Sequence, residues 1–391
     1  VIGRLIGELQ ESCSVGVIYL RARSESPIEE ALAQRCAVVE EVPRRVQPSR
    51  WITSASALAR GEPMWVREWR VPAFRTRLRE LLLRWNPDVV QFECHTMAQY
   101  ADEVDSYPSI LVEHEPGTPA IRDRWRTSRG WRRAVFARDA QSWQAYERRI
   151  LTKFDAVVCF TELDKRQVLE LEPNARIQVI PPAPPNAQIS ESIVRTGSSA
   201  PPPTIVFAGN FIHPPNLDAA HWLIGDIFPR VLLRHPDAEL QIVGAGPPAS
   251  LRRLASGLRV SITGTVPDVR PFLQSATVVV APLRTGGGIR LKVMEALAYG
   301  KALVATPLAA EGLGVSDGRE LLLAGTSESF AGRLADALSD QGLRQELSRN
   351  ALAWAAIFGA PGRVGSAFEQ LYAMLADRNR KRLESDRRFA S

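Results

Sequence analysis

The chain has 391 residues, 45% hydrophobic and 24% charged, a soluble globular composition that excludes a wholly disordered or fibrous protein. That length predicts two domains rather than one core. Forty-nine Lys and Arg against 43 Asp and Glu give a net charge of +6, which favours anionic partners: nucleic acid, anionic lipid or phosphorylated small molecules.

In chain order, residues 1–11 read as a helix. Strand-like runs follow at Val15–Leu20, Val89–Phe92, Ile110–Val112, Ala156–Phe160 and Ile177–Ile180. A second series lies at Ile205–Ala208, Leu240–Val243, Val260–Thr263, Val278–Ala281 and Leu303–Ala305. These runs are rich in Val and Ile and do not alternate, as expected of parallel strands buried on both faces. Amphipathic segments long enough for crossover helices separate them. The rhythm predicts an α/β protein of two doubly wound, Rossmann-like domains.

The break between the two series is a run of prolines, Pro181, Pro182, Pro184 and Pro185, followed by polar residues, Gly197-Ser198-Ser199 and Pro201-Pro202-Pro203. Proline lacks the donor that a helix or central strand needs, and Gly and Ser add freedom. The predicted domains are 1–185 and 204–375, with a linker at 186–203 and a basic tail at 376–391. The tail, with Arg378, Arg380, Lys381, Arg382, Arg387 and Arg388, reads as a helix end in solvent, with membrane-surface contact as the alternative.

Cys13, Cys36, Cys94 and Cys159 are scattered without a CxxC spacing, which predicts buried thiols in a reducing, cytoplasmic setting and no zinc site. No run approaches the roughly 18–20 apolar residues of a membrane span, and no signal peptide is evident. The chain starts at Val1 rather than Met, which suggests that something upstream is missing.

The richest stretch is Ala281-Pro-Leu-Arg-Thr-Gly-Gly-Gly-Ile-Arg-Leu-Lys-Val-Met-Glu-Ala-Leu-Ala-Tyr-Gly300. A strand ends near Ala281, and Gly286, Gly287 and Gly288 let the backbone turn and approach a ligand closely. A helix is predicted from about Ile289. Its unpaired first-turn N–H groups and positive dipole end suit a phosphate. Arg290 and Lys292 add charge there, and Glu295, about two turns in, is placed to accept hydrogen bonds from ribose hydroxyls.

This stretch, continuing to Thr306-Pro-Leu-Ala-Ala-Glu-Gly312, resembles the donor-site signature of group 1 (family four) glycosyltransferases of the GT-B fold. Phe207-Ala-Gly-Asn210 with His213-Pro-Pro-Asn216, Gln241-Ile-Val-Gly-Ala-Gly-Pro247 and Gly264-Thr-Val-Pro-Asp268 resemble further loops of that family in the same order. The resemblance covers about 204–375 well and the N-terminal half more loosely. It implies two Rossmann-like domains facing across a cleft, with the first strand of the N-terminal domain absent. It also implies sugar transfer from a nucleotide diphosphate sugar (UDP- or GDP-linked) to an acceptor hydroxyl, with retention and without a metal or other cofactor. Polysaccharide or glycoconjugate synthesis is the implied setting, with a saccharide or lipid-linked acceptor and peripheral contact with the inner membrane face.

Residue by residue, the resemblance implies donor contacts from Gly209, Asn210, Asn216, Val266, Arg284, Gly286, Gly287, Gly288 and Glu295. Glu295 matches the second glutamate of the family's E-x7-E motif, whose first position is Gly287 here. Arg290, Lys292 and His114 fall at catalytic positions. His114 closes the strand Ile110-Leu-Val-Glu-His and points to a hydrogen bond with the donor sugar. Glu93 and His95, at another strand end, are acceptor-side candidates.

An epimerase or hydrolase on nucleotide sugars would want more acid and base groups than are present. A non-catalytic binding protein stays open because the first glutamate is absent. A dehydrogenase fails because no GxGxxG follows a first strand with an acid about 20 residues on. Nucleic acid is not expected, since basic residues interleave with acidic ones and no stacking aromatic motif accompanies them.

Overall fold

The Val and Ile runs become parallel strands almost where the sequence places them. The structure is a computed structural model that describes residues 2–23, 25–44, 50–184 and 202–390. It divides into two units: 1–182 with 361–391, and 183–360. The linker predicted at 186–203 lies outside the described residues apart from its last two positions.

The first unit holds β1 (Gly16–Ala22), β2 (Val38–Arg44), β3 (Val90–Glu93), β4 (Ser109–Glu113), β5 (Ala156–Cys159) and β6 (Ile177–Val179). β1 pairs in parallel with β2 alone, while β3-β4-β5-β6 form a separate four-stranded parallel sheet. Residues of β1 and β3 line one apolar groove of about 640 Å³, together with Leu5, Ile6 and Trp85. Trp143, Tyr100, Leu111 and Ile150 are fully buried and anchor the core beside the larger sheet.

The helix Ile2–Leu9 buries Leu5, Ile6 and Leu9 on one stripe. Against it lies the helix Arg363–Ala390. The Gly365 N–H donates to Glu8 Oε2 at 2.8 Å, and the Tyr372 hydroxyl donates to Gln91 Oε1 at 2.7 Å. These contacts place residues beyond Pro361 with the first unit, so the second unit ends at Ala360 and not at 375. The sequence marks this second crossing with Gly359-Ala-Pro-Gly362, between two helices.

The second unit contains β7 (Thr204–Ala208), β8 (Glu239–Val243), β9 (Val260–Gly264), β10 (Val278–Ala281), β11 (Leu303–Ala305) and β12 (Leu322–Leu323). They form one parallel sheet in the order β12-β11-β10-β7-β8-β9. Chain order reverses between β7 and β10. In an open α/β sheet, the crevice beyond the carboxyl ends of the strands at such a reversal is where ligands bind. Phe207, Phe211, Phe228, Leu223 and Phe330 are fully buried around this sheet.

Candidate functional site

At the carboxyl end of β7 the chain continues as Gly209-Asn210, and at the end of β10 as the loop through Gly286–Gly288. The first loop is pinned against the turn after β8. The Gly209 N–H donates to Val243 O at 2.9 Å, and the Phe211 N–H donates to Ala245 O at 2.8 Å. Gly244 has φ +134°, and a Cβ there would stand 2.0 Å from Gly209 O. Glycine is required at that crossing.

Asn216 lies in the first turn of the helix Pro214–Trp222, and its side chain bridges the two loops. Nδ2 donates to Asn210 O at 2.8 Å, while Oδ1 accepts from Lys292 Nζ at 2.5 Å. The Lys292 ammonium sits 4.8 Å from the Phe207 ring centroid and 3.1 Å from where a Cβ on Gly209 would stand. Burial, aided by the neighbouring Arg290 charge, pushes this ammonium down to about 7. A cation held so close to neutrality gains most from an anion beside it.

Arg290 does different work from the one its charge suggests. Only 8% of it is exposed, and its guanidinium donates to Gly286 O at 2.7 Å and to Gly288 O. It clamps the glycine loop, in which Gly286 (φ +104°) and Gly288 (φ +68°) take conformations that side chains disfavour. The helix after the loop is Leu291–Ala298 with Arg290 at its N-cap, a residue or two later than predicted, and no side chain caps it. Its first N–H groups are left for a ligand or water.

Arg284 is bound elsewhere. It forks onto Asp218, at 2.6 and 3.0 Å, and its guanidinium lies 4.9 Å from the Trp222 ring centroid. The structure places it as a brace between the loop and the helix Pro214–Trp222. Glu295 is half-buried and has no side-chain hydrogen-bond partner among the described residues. Desolvation, then the Asp268 charge, raise its pKa, while Arg270 pulls the other way. Asp268 pairs with Arg270 at 2.8 Å in the loop that carries half-buried Val266. Glu295 thus looks onto the loop after β9. Sequence spacing does not mark the Asp268–Arg270 pair, although Asp268 closes the stretch Gly264-Thr-Val-Pro-Asp268.

In the first unit, His114 and Glu93 meet at the carboxyl ends of β4 and β3, with His114 Nε2 2.5 Å from Glu93 Oε2. The His114 ring lies edge-on to Phe160, 5.2 Å between centroids. Cys94 between Glu93 and His95 has φ +70°, an uncommon conformation for a non-glycine residue and one that clusters at functional sites. The structure separates His95 from this pair. It is 6% exposed, between the Trp65 and Trp143 rings, with Nδ1 3.1 Å from Glu113 Oε2. Burial opposes its protonation, but the charge and hydrogen bond of Glu113 outweigh that and raise its pKa. His95 is a core residue and not the acceptor-facing group the sequence suggested.

Glu147 continues this buried network. It accepts from the Gly117 N–H at 2.7 Å and the Thr118 N–H at 3.1 Å, capping the helix Gly117–Thr127. A Cβ on Gly117 would stand 2.1 Å from Trp143 Nε1. Sequence spacing does not mark Glu147 as the partner of Gly117 and Thr118, which lie 30 and 29 positions away. Among the described residues no group of three or more His, Cys, Asp or Glu side chains could hold a metal ion. No helix among them is long and apolar enough to cross a membrane.

Two family models match the chain in tandem: Glycosyltransferase Family 4 over residues 1–183, and Glycosyl transferases group 1 over 202–340. An uncharacterized 44.6 kDa protein in the cps region of Klebsiella pneumoniae is 24% identical over 158 residues, 38% of this chain and 41% of that protein. Phosphatidyl-myo-inositol mannosyltransferase of Mycobacterium tuberculosis is 36% identical over 111 residues, 27% of this chain and 28% of that enzyme. The matched stretches therefore span less than half the length of these relatives. The sucrose-phosphate synthase structure from Thermosynechococcus elongatus superposes with a TM-score of 0.69 at 16% identity, over 95% of this chain and 92% of that one. With both units matched in order and the strand reversal in place, the chain belongs to the group 1 glycosyltransferases and has their GT-B fold.

Proposed function

We propose that the protein transfers a sugar from a nucleoside diphosphate sugar to an acceptor hydroxyl, with retention at the anomeric carbon and without a metal. The observation that carries this reading is the meeting of Lys292, Asn216 and Gly209 beside the glycine loop at the β7/β10 reversal. Lys292 and the free N–H groups of the helix Leu291–Ala298 face the charge that grows on the leaving diphosphate. Preorganised charge of this kind is usually a large catalytic contribution. Arg290 contributes by holding the loop's shape. In the reaction the bond from the anomeric carbon to the diphosphate oxygen breaks and a bond to the acceptor oxygen forms. The acceptor proton passes to the leaving phosphate, so no side-chain nucleophile is needed.

His114, oriented by Glu93, donates or accepts at a sugar hydroxyl, and Glu295 accepts from the ribose. A lipid-linked or saccharide acceptor, in polysaccharide or glycoconjugate synthesis at the cytoplasmic membrane face, is supported by the mannosyltransferase relative, whose name specifies a lipid acceptor. The test is a screen of UDP- and GDP-sugars with saccharide and lipid acceptors, read by product mass spectrometry and anomeric NMR, with and without EDTA. One added sugar of unchanged anomeric configuration, insensitive to EDTA, is expected. Donor binding without turnover on any acceptor would favour the non-catalytic reading.

The ribose assignment has its own check. Glu295→Gln is expected to weaken nucleoside diphosphate binding by about tenfold, the value of one charge-assisted hydrogen bond, and to leave pyrophosphate binding unchanged. Equal losses for both ligands in calorimetry would remove Glu295 from the ribose.

A further inference from the structure

At the carboxyl end of β4 the first unit holds a second cavity, of about 310 Å³, within the size range of small-molecule sites. Its wall comes from Glu113, the last residue of β4, and from the helices Gly117–Thr127, Trp131–Leu151 and Glu162–Leu171. His114 and Glu93 are not part of it. Glu113 is 1% exposed. Its Oε2 is engaged by His95, which lies outside the wall, while its Oε1 is buried with no hydrogen-bond partner among the described residues.

A carboxylate oxygen taken out of water without a donor is costly, so a partner is missing here. Glu147, the other buried carboxylate of the wall, lacks none, since Gly117 and Thr118 donate to both of its oxygens. The remaining polar groups of the wall are unengaged. Half-buried Gln144 and Gln167 make no side-chain hydrogen bond among the described residues, and exposed Arg122 and Glu170 form no ion pair there. The charges do not balance either. Burial and the Glu113 charge raise the Glu147 pKa. Protonated His95 sets one positive charge against two carboxylates, which leaves one negative charge over.

We propose that this cavity is a binding site for a small primary ammonium compound, whose N–H groups supply the donor that Glu113 Oε1 lacks and whose other polar end meets Gln144 and Gln167. An ammonium is a compact charge with three donors, suited to one carboxylate oxygen and neighbouring amide oxygens. A metal cation fits less well, because among the described residues no three His, Cys, Asp or Glu side chains converge. A neutral polyol would engage the amides and leave the carboxylate charge uncompensated, and the wall has no aromatic ring for a sugar to stack on. The proposal does not depend on the donor site, because binding is measured without turnover.

The test is calorimetric titration of the full chain at neutral pH with ethanolamine, ethylene glycol, tetramethylammonium chloride and potassium chloride. Ethylene glycol matches ethanolamine in size without the charge, and tetramethylammonium has the charge without N–H donors. Binding of ethanolamine alone is expected, with a Kd on the order of 1 mM for so small a ligand. Glu113→Gln removes the charge and is expected to weaken it by about tenfold to a hundredfold. Because that change also strips buried His95 of its partner, Gln144→Leu and Gln167→Leu give an independent reading. Each is expected to lose about threefold to tenfold, the value of a neutral hydrogen bond. Glu162→Gln, on the helix Glu162–Leu171 but outside the wall, is expected to bind as the parent does. Circular dichroism establishes that each variant is folded. No binding of ethanolamine would overturn the proposal, as would ethylene glycol, tetramethylammonium or potassium binding as tightly. So would folded Gln144→Leu and Gln167→Leu variants that both bind ethanolamine like the parent.

Discussion

Lys292→Met is expected to weaken binding of a nucleotide sugar by about tenfold to a hundredfold, the range for losing a hydrogen bond to a charged group. It is also expected to abolish a pH dependence that the parent protein shows. The free Lys292 ammonium is held at about 7, mainly by burial. A bound diphosphate favours the charged form and restores a higher value, so binding takes up a proton once the pH exceeds about 7. Affinity is then flat below pH 7 and falls by up to tenfold per unit above it. A nucleotide sugar is the right probe, because its diphosphate diester does not titrate in this range. Calorimetry in two buffers of different ionisation enthalpy reads the proton directly.

Stability carries the opposite sign. The unfolded chain holds its lysine proton up to about 10.5, while the folded chain releases it near 7. Between these values the unfolded state binds more protons, so the stability of the unliganded protein rises with pH across that window. Lys292→Met removes that rise and is expected to stabilise the unliganded protein at neutral pH. A variant with parental affinity and a parental pH profile would place Lys292 outside the donor site.

Gly244→Ala is the larger structural perturbation. The added Cβ would meet Gly209 O at 2.0 Å and Gly209 C at 2.9 Å, on a backbone with φ +134°. Overpacking and strained backbone each cost about 1–3 kcal/mol, so a loss of about 2–6 kcal/mol is expected. Relief requires moving the loop that bears Asn210, which in turn releases Asn216 from its hydrogen bond and Lys292 from its partner. Donor binding is expected to fall with stability. Gly257→Ala is the control, since φ there is +79° but no atom lies within 4 Å of the new Cβ. It is expected to cost only the left-handed backbone penalty, about 1 kcal/mol. Thermal unfolding of the two variants side by side checks the comparison, and equal losses would show that the contact with Gly209 is not decisive.

The strands that were legible in the sequence are those written as short Val- and Ile-rich runs, whether fully buried, as β4, β5 and β10, or only partly buried, as β1, β6 and β9. β2 was missed because Val38-Val-Glu-Glu-Val-Pro-Arg44 mixes acids and a proline into an edge strand, where Glu41 accepts from Tyr19 and Arg21 on β1. β12 is only two residues long and has no pattern to read. The glycine loop and its helix were legible because strand, glycines and cations are contiguous. The division of labour among the cations was not. Whether an arginine faces a ligand depends on partners far along the chain, as with Arg284 and Asp218, sixty-six positions apart. His95 misled for the same reason: a strand-end histidine looks identical in sequence whether it meets solvent or a buried glutamate.

The discontinuity of the first unit has a consequence for synthesis. The second unit, 183–360, is contiguous and can fold as soon as it emerges. The first unit must wait for the helix Arg363–Ala390, which packs on Ile2–Leu9 and whose Arg363 guanidinium donates to Pro181 O at 2.8 Å. At about 5–20 residues per second, translating the roughly 350 residues between these two helices takes roughly 20–70 s. For that interval the face of the first helix destined for this contact has no partner on the nascent chain. The part made first is completed last, so nascent chains bear this unfinished surface while the second unit is already able to fold.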